Sequence, residues 1–367
     1  MRLFLLVFFS LYSGLHLYVF SRIRGLACLG TASSLGLSLA LAFMVFSPIL
    51  VFYLAREGSY GLARGLAFLS FLWMAFAFLF FFISLLLDAL SLLLSAFGPH
   101  LGPRPLTLFS LILSTLCVLY GLFEAESIRV KSIEIRTNKV PLGKELTLLH
   151  ITDLHLGITT RKSQVQKIFK AIEDKEVDLL VCSGDIVDGQ MEEYVEFFSR
   201  LAPRLGKFAV TGNHEFYSGL GLSQEFFRRA RFSLLSDEAV TAGDIVNIVG
   251  VHDEAALPYG SGKKDLEGLL RGVRRDLYTI VLRHRPTFEE SCLGLFDLQL
   301  SGHTHRGQIF PFRFITVVFF PYCYGLFQLP KGSMLYVSSG AGTWGPPIRF
   351  LSPPEITIFR IRGSPGP

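Results

Sequence analysis

Only eight charged side chains fall in the first 122 residues: Arg2, Arg22, Arg24, Arg56, Glu57, Arg64, Asp88 and Arg104. A soluble domain carries a charge at about one residue in four, so this stretch cannot present a surface to water along its length. The other 245 residues carry 57 charges, an ordinary density for a globular domain. That contrast excludes a wholly soluble chain, a disordered one and a bare channel or transporter. The expected organisation is a transmembrane helical region over 1–123, a connecting segment with an edge strand over 124–144, and a soluble domain over 145–361.

Four apolar stretches, over 3–20, 31–54, 65–87 and 105–122, approach or exceed the ~18–20 residues that cross a bilayer as a helix. The first is too long for a signal peptide and lacks a small-x-small cleavage site, so it reads as a retained span. The third runs on apolar as far as Phe97. With both termini inside, Arg2, Arg56, Arg64, Arg129, Lys131, Arg136 and Lys139 lie on one side, against Arg22, Arg24 and Arg104 on the other. That asymmetry places the soluble domain on the cytoplasmic face of a membrane, a bacterial inner membrane being the natural setting. Asp88 is the only acid deep in an apolar stretch, so it is either a functional group or the wetted end of a tilted helix.

The first 122 residues hold six arginines against two acids, which accounts for most of the net charge of +5. The soluble part is therefore near neutral, and no nucleic-acid partner is expected. No obligate protein partner is indicated either. The five cysteines show no CxxC or zinc spacing, and no Asn-x-Ser/Thr sequon occurs, which favours a reducing compartment.

Beyond residue 127 the pattern changes. Ile128, Val130, Ile133 and Ile135 alternate imperfectly with charged residues, as in a half-exposed strand. Short apolar runs of the buried-strand type follow at 146–151, 179–182, 208–210, 245–251, 278–282, 298–300 and 334–337. A helix with one apolar face is expected over 162–174. Mixed strands and helices over some 220 residues indicate an α/β domain.

Polar residues close nearly every apolar run. Asp153 and His155 follow the first, Gly184-Asp185-Ile186-Val187-Asp188 the second, and Gly212-Asn213-His214-Glu215 the third. His284 and then Gly302-His303-Thr304-His305 follow two later runs. Loops at strand ends are where an α/β scaffold places a site. Imidazoles, carboxylates and an amide suit Mn, Fe or Zn rather than a thiophilic metal. Asp153, His155, Asp185, Asn213, His284, His303 and His305 exceed what one tetrahedral ion needs. Two divalent ions sharing a carboxylate would use them all and could clamp a phosphoryl group.

In this order the motifs resemble the calcineurin-like metallophosphoesterase superfamily over about 145–361. Gly307-Gln308, Tyr324-Gly325-Leu326-Phe327, Val337-Ser338, Gly345-Pro346-Pro347-Ile348-Arg349 and Pro354-Glu355-Ile356 narrow the resemblance to the bacterial YkuE/YaeI-type branch. That branch includes a vertebrate transmembrane protein with a metallophosphoesterase domain, whose multi-span start parallels residues 1–122. The resemblance implies a two-sheet sandwich flanked by helices. It assigns Asp153, His155, Asp185 and His305 to one metal and Asp185, Asn213, His284 and His303 to the other, with Asp185 bridging. His214 becomes the proton donor to the leaving group. The reaction implied is hydrolysis of a phosphodiester, pyrophosphate or phosphomonoester by a metal-bridged hydroxide, with Mn²⁺ a common occupant.

Three features depart from the family pattern. Arg283 and Arg285 flank His284, and Arg306 follows His305 where small residues are usual; each could contact substrate phosphate or simply point to solvent. His252 stands where relatives carry an acid, and no metal role is assigned to it.

Between Gln308 and Gly332 the chain is rich in aromatics, with Pro311 and Pro321 interrupting it. This segment either enters the membrane interface or receives an acyl chain, or it is a hairpin packed on the rest of the protein. An anchor beside a phosphoesterase site with an apolar mouth suggests a lipid-linked substrate, such as a UDP-diacylglucosamine-type pyrophosphate. The alternatives are a soluble substrate with the spans serving only as anchor, and a non-catalytic membrane sensor or scaffold.

Overall fold

A computed structural model of the chain describes residues 2–96, 98, 101–189, 192–259 and 265–365. Phe97 lies outside the described residues. The chain divides into two compact units, Met1–Phe123 with Gly345–Phe350, and Glu124–Trp344 with Leu351–Pro367.

The first unit holds the helices α1 (Arg2–Ala27), α2 (Thr31–Arg56), α3 (Tyr60–Leu94) and α4 (Pro103–Ala125). All four are long and apolar enough to cross a membrane. Each outruns its apolar stretch, because interfacial residues prolong a helix past the hydrocarbon. In α3 the buried residues include Ala63, Ala67, Ser70, Ala77 and Ser84, and small side chains at such spacing let helix backbones approach closely.

Two polar contacts tie α1 to α3. Trp73 Nε1 donates to His16 Nε2 at 2.9 Å, and His16 Nδ1 donates to the Tyr12 carbonyl at 2.7 Å. Further along, Arg22 Nη2 donates to Asp88 Oδ1 at 2.8 Å, with the Arg22 guanidinium 5.6 Å from the centre of the Tyr18 ring. Arg22 is therefore part of α1 rather than a loop charge, and Asp88 has a partner that sequence spacing could not show.

The second unit contains β1 (Arg129–Leu142), β2 (Glu145–Ile151), β3 (Leu156–Gly157), β4 (Leu179–Cys182), β5 (Val187–Asp188), β6 (Lys207–Ala209) and β7 (Ser233–Leu234). It continues with β8 (Glu238–Ala242), β9 (Val246–Gly250), β10 (Tyr278–Leu282), β11 (Leu298–Ser301), β12 (Gly325–Gln328), β13 (Met334–Val337) and β14 (Glu355–Gly363). Its helices are α5 (Lys162–Ile172), α6 (Val195–Arg200), α7 (Asn213–Tyr217), α8 (Leu220–Arg229), α9 (Leu266–Gly272) and α10 (Arg313–Phe319).

One sheet has the order β1-β14-β2-β4-β6-β7 and the other β12-β13-β11-β10-β9-β8, beside a small β3-β5 pair. This is the α/β two-sheet sandwich that the motifs implied. Its inner strands β4, β10 and β11 are buried throughout because both faces of each sheet are covered there. Leu179 and Val181 face the core between the sheets, whereas Leu180 and Cys182 face a second core with Val165, Ile168, Phe198 and Phe226. Ile280 and Leu282 likewise enter the central core, and Val281 joins Leu266, Leu270 and Leu335 on the far side.

In the first sheet β2, β4 and β6 are parallel, and in the second β9, β10, β11 and β13 are parallel. Parallel pairing brings the carboxyl ends of strands to one edge, and the polar motifs are what follow those ends.

The Arg22–Asp88 contact implies a structural role for both residues. Asp88→Asn is expected to lower the thermal unfolding midpoint of the detergent-solubilised protein. The exchange Arg22→Asp with Asp88→Arg is expected to recover most of that loss; no recovery would show that the pair does not hold the bundle.

Candidate metal centre

Asp153 and His155 follow β2, Asp185 follows β4, and Asn213 opens α7 just after β6. His284 follows β10, and His303 and His305 follow β11. Getting alternate side chains into one pocket requires sharp backbone reversals. Asp153, His155, Asp185, His303 and His305 all adopt positive φ, between 46° and 70°. Non-glycine residues enter that region at a cost of about 1–3 kcal/mol, and they stay there only when their surroundings compel it.

Two glycines make room for the carboxylates. A Cβ on Gly302 would stand 2.0 Å from Asp153 Oδ2, and one on Gly212 would stand 2.1 Å from Asp185 Oδ1. The loops are also bonded to one another, with Asp153 N donating to Gly184 O at 3.1 Å and His155 N to Asp185 O at 3.0 Å.

The donors gather into overlapping groups: Asp153, His155 and His305; His155, Asp185 and His214; and Asp185, His284 and His303. His155 Nε2 lies 3.0 Å from His305 Nε2, and His303 Nδ1 lies 3.2 Å from His284 Nε2. Nitrogen lone pairs that close need a shared proton or cation. Asp185 Oδ2 is 3.1 Å from His284 Nε2 and 3.8 Å from His155 Nε2, so one oxygen reaches both ends of the cluster. Asn213 Oδ1 is buried without a hydrogen-bond partner. A lone acceptor at that place fits a cation, as does the whole set of hard oxygen and imidazole donors.

Outer contacts fix the ring orientations. His284 Nδ1 donates to the Ser183 carbonyl at 2.9 Å, leaving Nε2 as the coordinating atom. His214 Nδ1 donates to Asp188 Oδ1 at 2.9 Å, and His155 Nδ1 lies 3.5 Å from Asp188 Oδ2. Asp188 thus orients both a candidate ligand and the candidate proton donor. Burial opposes its ionisation, but the two histidines hold its carboxyl down at about 2. Burial would also discharge His214; the Asp188 hydrogen bond and the charge of Asp185 carry its imidazole up to about 9. Burial and the neighbouring charge on His284 push His303 down to about 3. His284 itself, despite burial, is carried up to about 10 by Asp185 and Asp153.

Glu215 holds the site together. Its Oε2 accepts from Gly212 N at 2.6 Å and Asp185 N at 3.0 Å, and its Oε1 from Ile186 N at 2.8 Å and Val187 N at 2.9 Å. Burial and the charge of Asp185 push its carboxyl up to about 7.

The three arginines singled out from sequence are each engaged elsewhere. Arg283 Nη1 donates to both oxygens of Glu289 at 2.9 Å. Arg285 is forked onto the buried Asp253 at 2.8 and 3.1 Å. Arg306 lies 4.4 Å from the centre of the Tyr324 ring. His252 bonds through Nδ1 to Thr211 Oγ1 at 2.8 Å and is in none of the donor groups found among the described residues. Sequence reasoning gave no role to Asp188, Glu215 or Asp253. The acids at 185 and 188, three apart across a strand end, were the available signal for the first.

A buried set of nitrogen and oxygen donors at the carboxyl edge of two facing sheets defines a metal-dependent phosphoesterase. Residues 146–307 match the calcineurin-like phosphoesterase family. An uncharacterized metallophosphoesterase of Aquifex aeolicus is 39% identical over 250 residues, covering 66% of this chain and 95% of that protein. YkuE of Bacillus subtilis, also an uncharacterized metallophosphoesterase, is 27% identical over 262 residues, covering 66% of this chain and 88% of that protein. A transmembrane protein with metallophosphoesterase domain from Danio rerio is 30% identical over 275 residues, covering 70% of this chain and 62% of that protein. The chain belongs to the calcineurin-like metallophosphoesterase family.

Glu215→Gln puts an amide NH₂ against two backbone N–H groups. Each buried group left unsatisfied costs about 1–3 kcal/mol. A lower unfolding midpoint and reduced metal stoichiometry are expected, the second because Asp185 and Asn213 lose their common support. Unchanged metal binding would show that the two loops hold their positions without Glu215.

Proposed function

We propose that the protein is a membrane-anchored dinuclear-metal phosphohydrolase acting on a lipid-linked phosphodiester or pyrophosphate. The observation that carries the reading is the shared Asp185 Oδ2, within reach of His155 on one side and His284 on the other. Asp153, His155, Asp185 and His305 would hold one ion, and Asp185, Asn213, His284 and His303 the other; Mn, Fe and Zn all suit these donors. Two such ions, when bound, activate water and draw charge from a phosphoryl group.

The chain's own residues do the rest. Asp188 keeps the His214 Nδ1 proton in place, so Nε2 is the nitrogen that faces a leaving group. A charged imidazole there can hand a proton to the departing oxygen. Tyr217 and Trp344 flank His214, with ring centres 5.4 and 6.0 Å away. Of the three arginines, Arg285 is the candidate for a second phosphate: it adjoins His284 in the chain, and an incoming phosphate would share its guanidinium with Asp253. A lipid-linked substrate is supported by the four long apolar helices and by Phe320, whose ring lies 5.0 Å from that of His303.

The test is hydrolysis by the full-length protein in detergent with Mn²⁺. Asp185→Asn should abolish turnover of bis-p-nitrophenyl phosphate. His214→Gln should slow an ester with a poor, alkyl leaving group by roughly 100-fold or more, and slow the p-nitrophenyl ester less, since that group departs without a proton. An acylated pyrophosphate should be cleaved in preference to its deacylated form. Equal turnover of the two would reduce the spans to an anchor for an enzyme of soluble substrates. Stoichiometric metal with no turnover of any ester would instead favour a sensor or scaffold.

The catalytic domain is assigned to the cytoplasmic side of the membrane, an inner membrane in a bacterium. Arg56 at the end of α2 and Arg64 near the start of α3, with Arg129, Lys131, Arg136 and Lys139 after α4, support it. A carboxyl-terminal reporter that works only in the cytoplasm should be active; an inactive reporter on folded protein would reverse the topology.

A further inference from the structure

We propose that α10 and its flanks are an interfacial anchor, which enters the headgroup boundary of the bilayer that the four long helices cross. An ordinary surface helix hides its apolar side, as α8 does by burying Phe226 and Phe227. In α10 the pattern is reversed. Its one buried residue is Thr316, whereas Phe314 is 68% exposed, Val318 77% and Phe319 73%. Ile315 and Val317 are also exposed, as is Phe310 just before the helix. Arg313 is the only charge in residues 310–319. Scattered apolar side chains on a surface need no explanation, but a continuous apolar segment marks an interaction site.

Chain connectivity names the occupant. The last residues of α4, Glu124 and Ala125, belong to the catalytic unit. Ser352 N donates to Glu124 Oε2 at 3.2 Å, Gln164 Nε2 donates to the Ala125 carbonyl at 3.2 Å, and Glu126 pairs with Arg161 at 2.8 Å. The chain returns to the helical unit at Gly345–Phe350, where Arg349 N donates to Gly121 O at 3.0 Å. The residues bordering that return, Trp344 and Leu351, are exposed as well. Gln308 grips the Trp344 backbone at both N and O, at 2.8 and 2.9 Å, and leads directly into the apolar segment.

A bilayer is thus the apolar phase that this domain meets by construction. Helices with a bare apolar side lie in such an interface, and the long stem of Arg313 suits a headgroup phosphate. The inference concerns where the domain rests, so it stands whichever phosphate ester is hydrolysed.

Full-length protein in lipid nanodiscs carrying acyl-chain diazirine phospholipids provides the test. After irradiation and digestion, lipid adducts are expected on the peptide spanning 310–319 as well as on the spans. They should be lost from that peptide, and kept on the spans, in Phe314→Ser/Val318→Ser/Phe319→Ser, whose substitutions are all on exposed side chains. Adducts on the spans alone in the wild-type protein would overturn the proposal.

Discussion

The shared oxygen of Asp185 sets the terms for the rest of the domain. Its carboxylate is buried beside Asp153, and a second buried acid, Glu215, stands behind it. Three carboxyls this close in a poorly polarisable interior would not stay charged without compensation. Glu215 is met by four backbone N–H groups, while Asp185 is met by imidazoles. Protons and divalent cations compete for the space between those imidazoles and Asp185, which is why such sites release protons on taking up metal. The positive φ at five of the donors is the conformational cost of maintaining that concentration of ligands.

Two contacts make the arrangement specific. The Ser183 carbonyl selects the tautomer of His284, and Asp188 does the same for His214 while facing His155. On the proposed reading a metal ligand and the proton donor therefore share one carboxylate. Any movement of Asp188 would disturb both, so the geometry of metal binding and that of leaving-group protonation are linked through one side chain.

The fold was legible where apolar runs were unbroken. The runs at 179–182, 278–282 and 334–337 are strands with those same limits, because burial on both faces removes the alternation that would otherwise blur their ends. The edge strand β1 also followed its half-exposed pattern, but its partner β14, which lies between β1 and β2, did not stand out. Charged Arg360 and Arg362 interrupt its apolar sequence, and only the sheet reveals that they meet Glu145. The seven residues read as metal donors stood out because each lies within a few residues of a strand end. Glu215 was not, since a buried acid that caps backbone N–H groups looks in sequence like one more member of a polar motif. Nor was the short helix in the aromatic segment, where two prolines argued against regular structure.

Where the chemistry resides follows from which ionisable groups already have partners. In the helical unit, the Asp88 carboxylate is met by Arg22, and both nitrogens of His16 are used, one by Trp73 and one by Tyr12. Such groups hold helices together and have little capacity left for a reaction. In the catalytic unit, the Asn213 oxygen lacks a partner, and imidazole nitrogens face each other across 3.0 and 3.2 Å. A lone buried acceptor and imidazole nitrogens this close call for a proton or a cation between them. The catalytic unit thus gathers the donors suited to cations, whereas Asp88 and His16 of the helical unit already have partners.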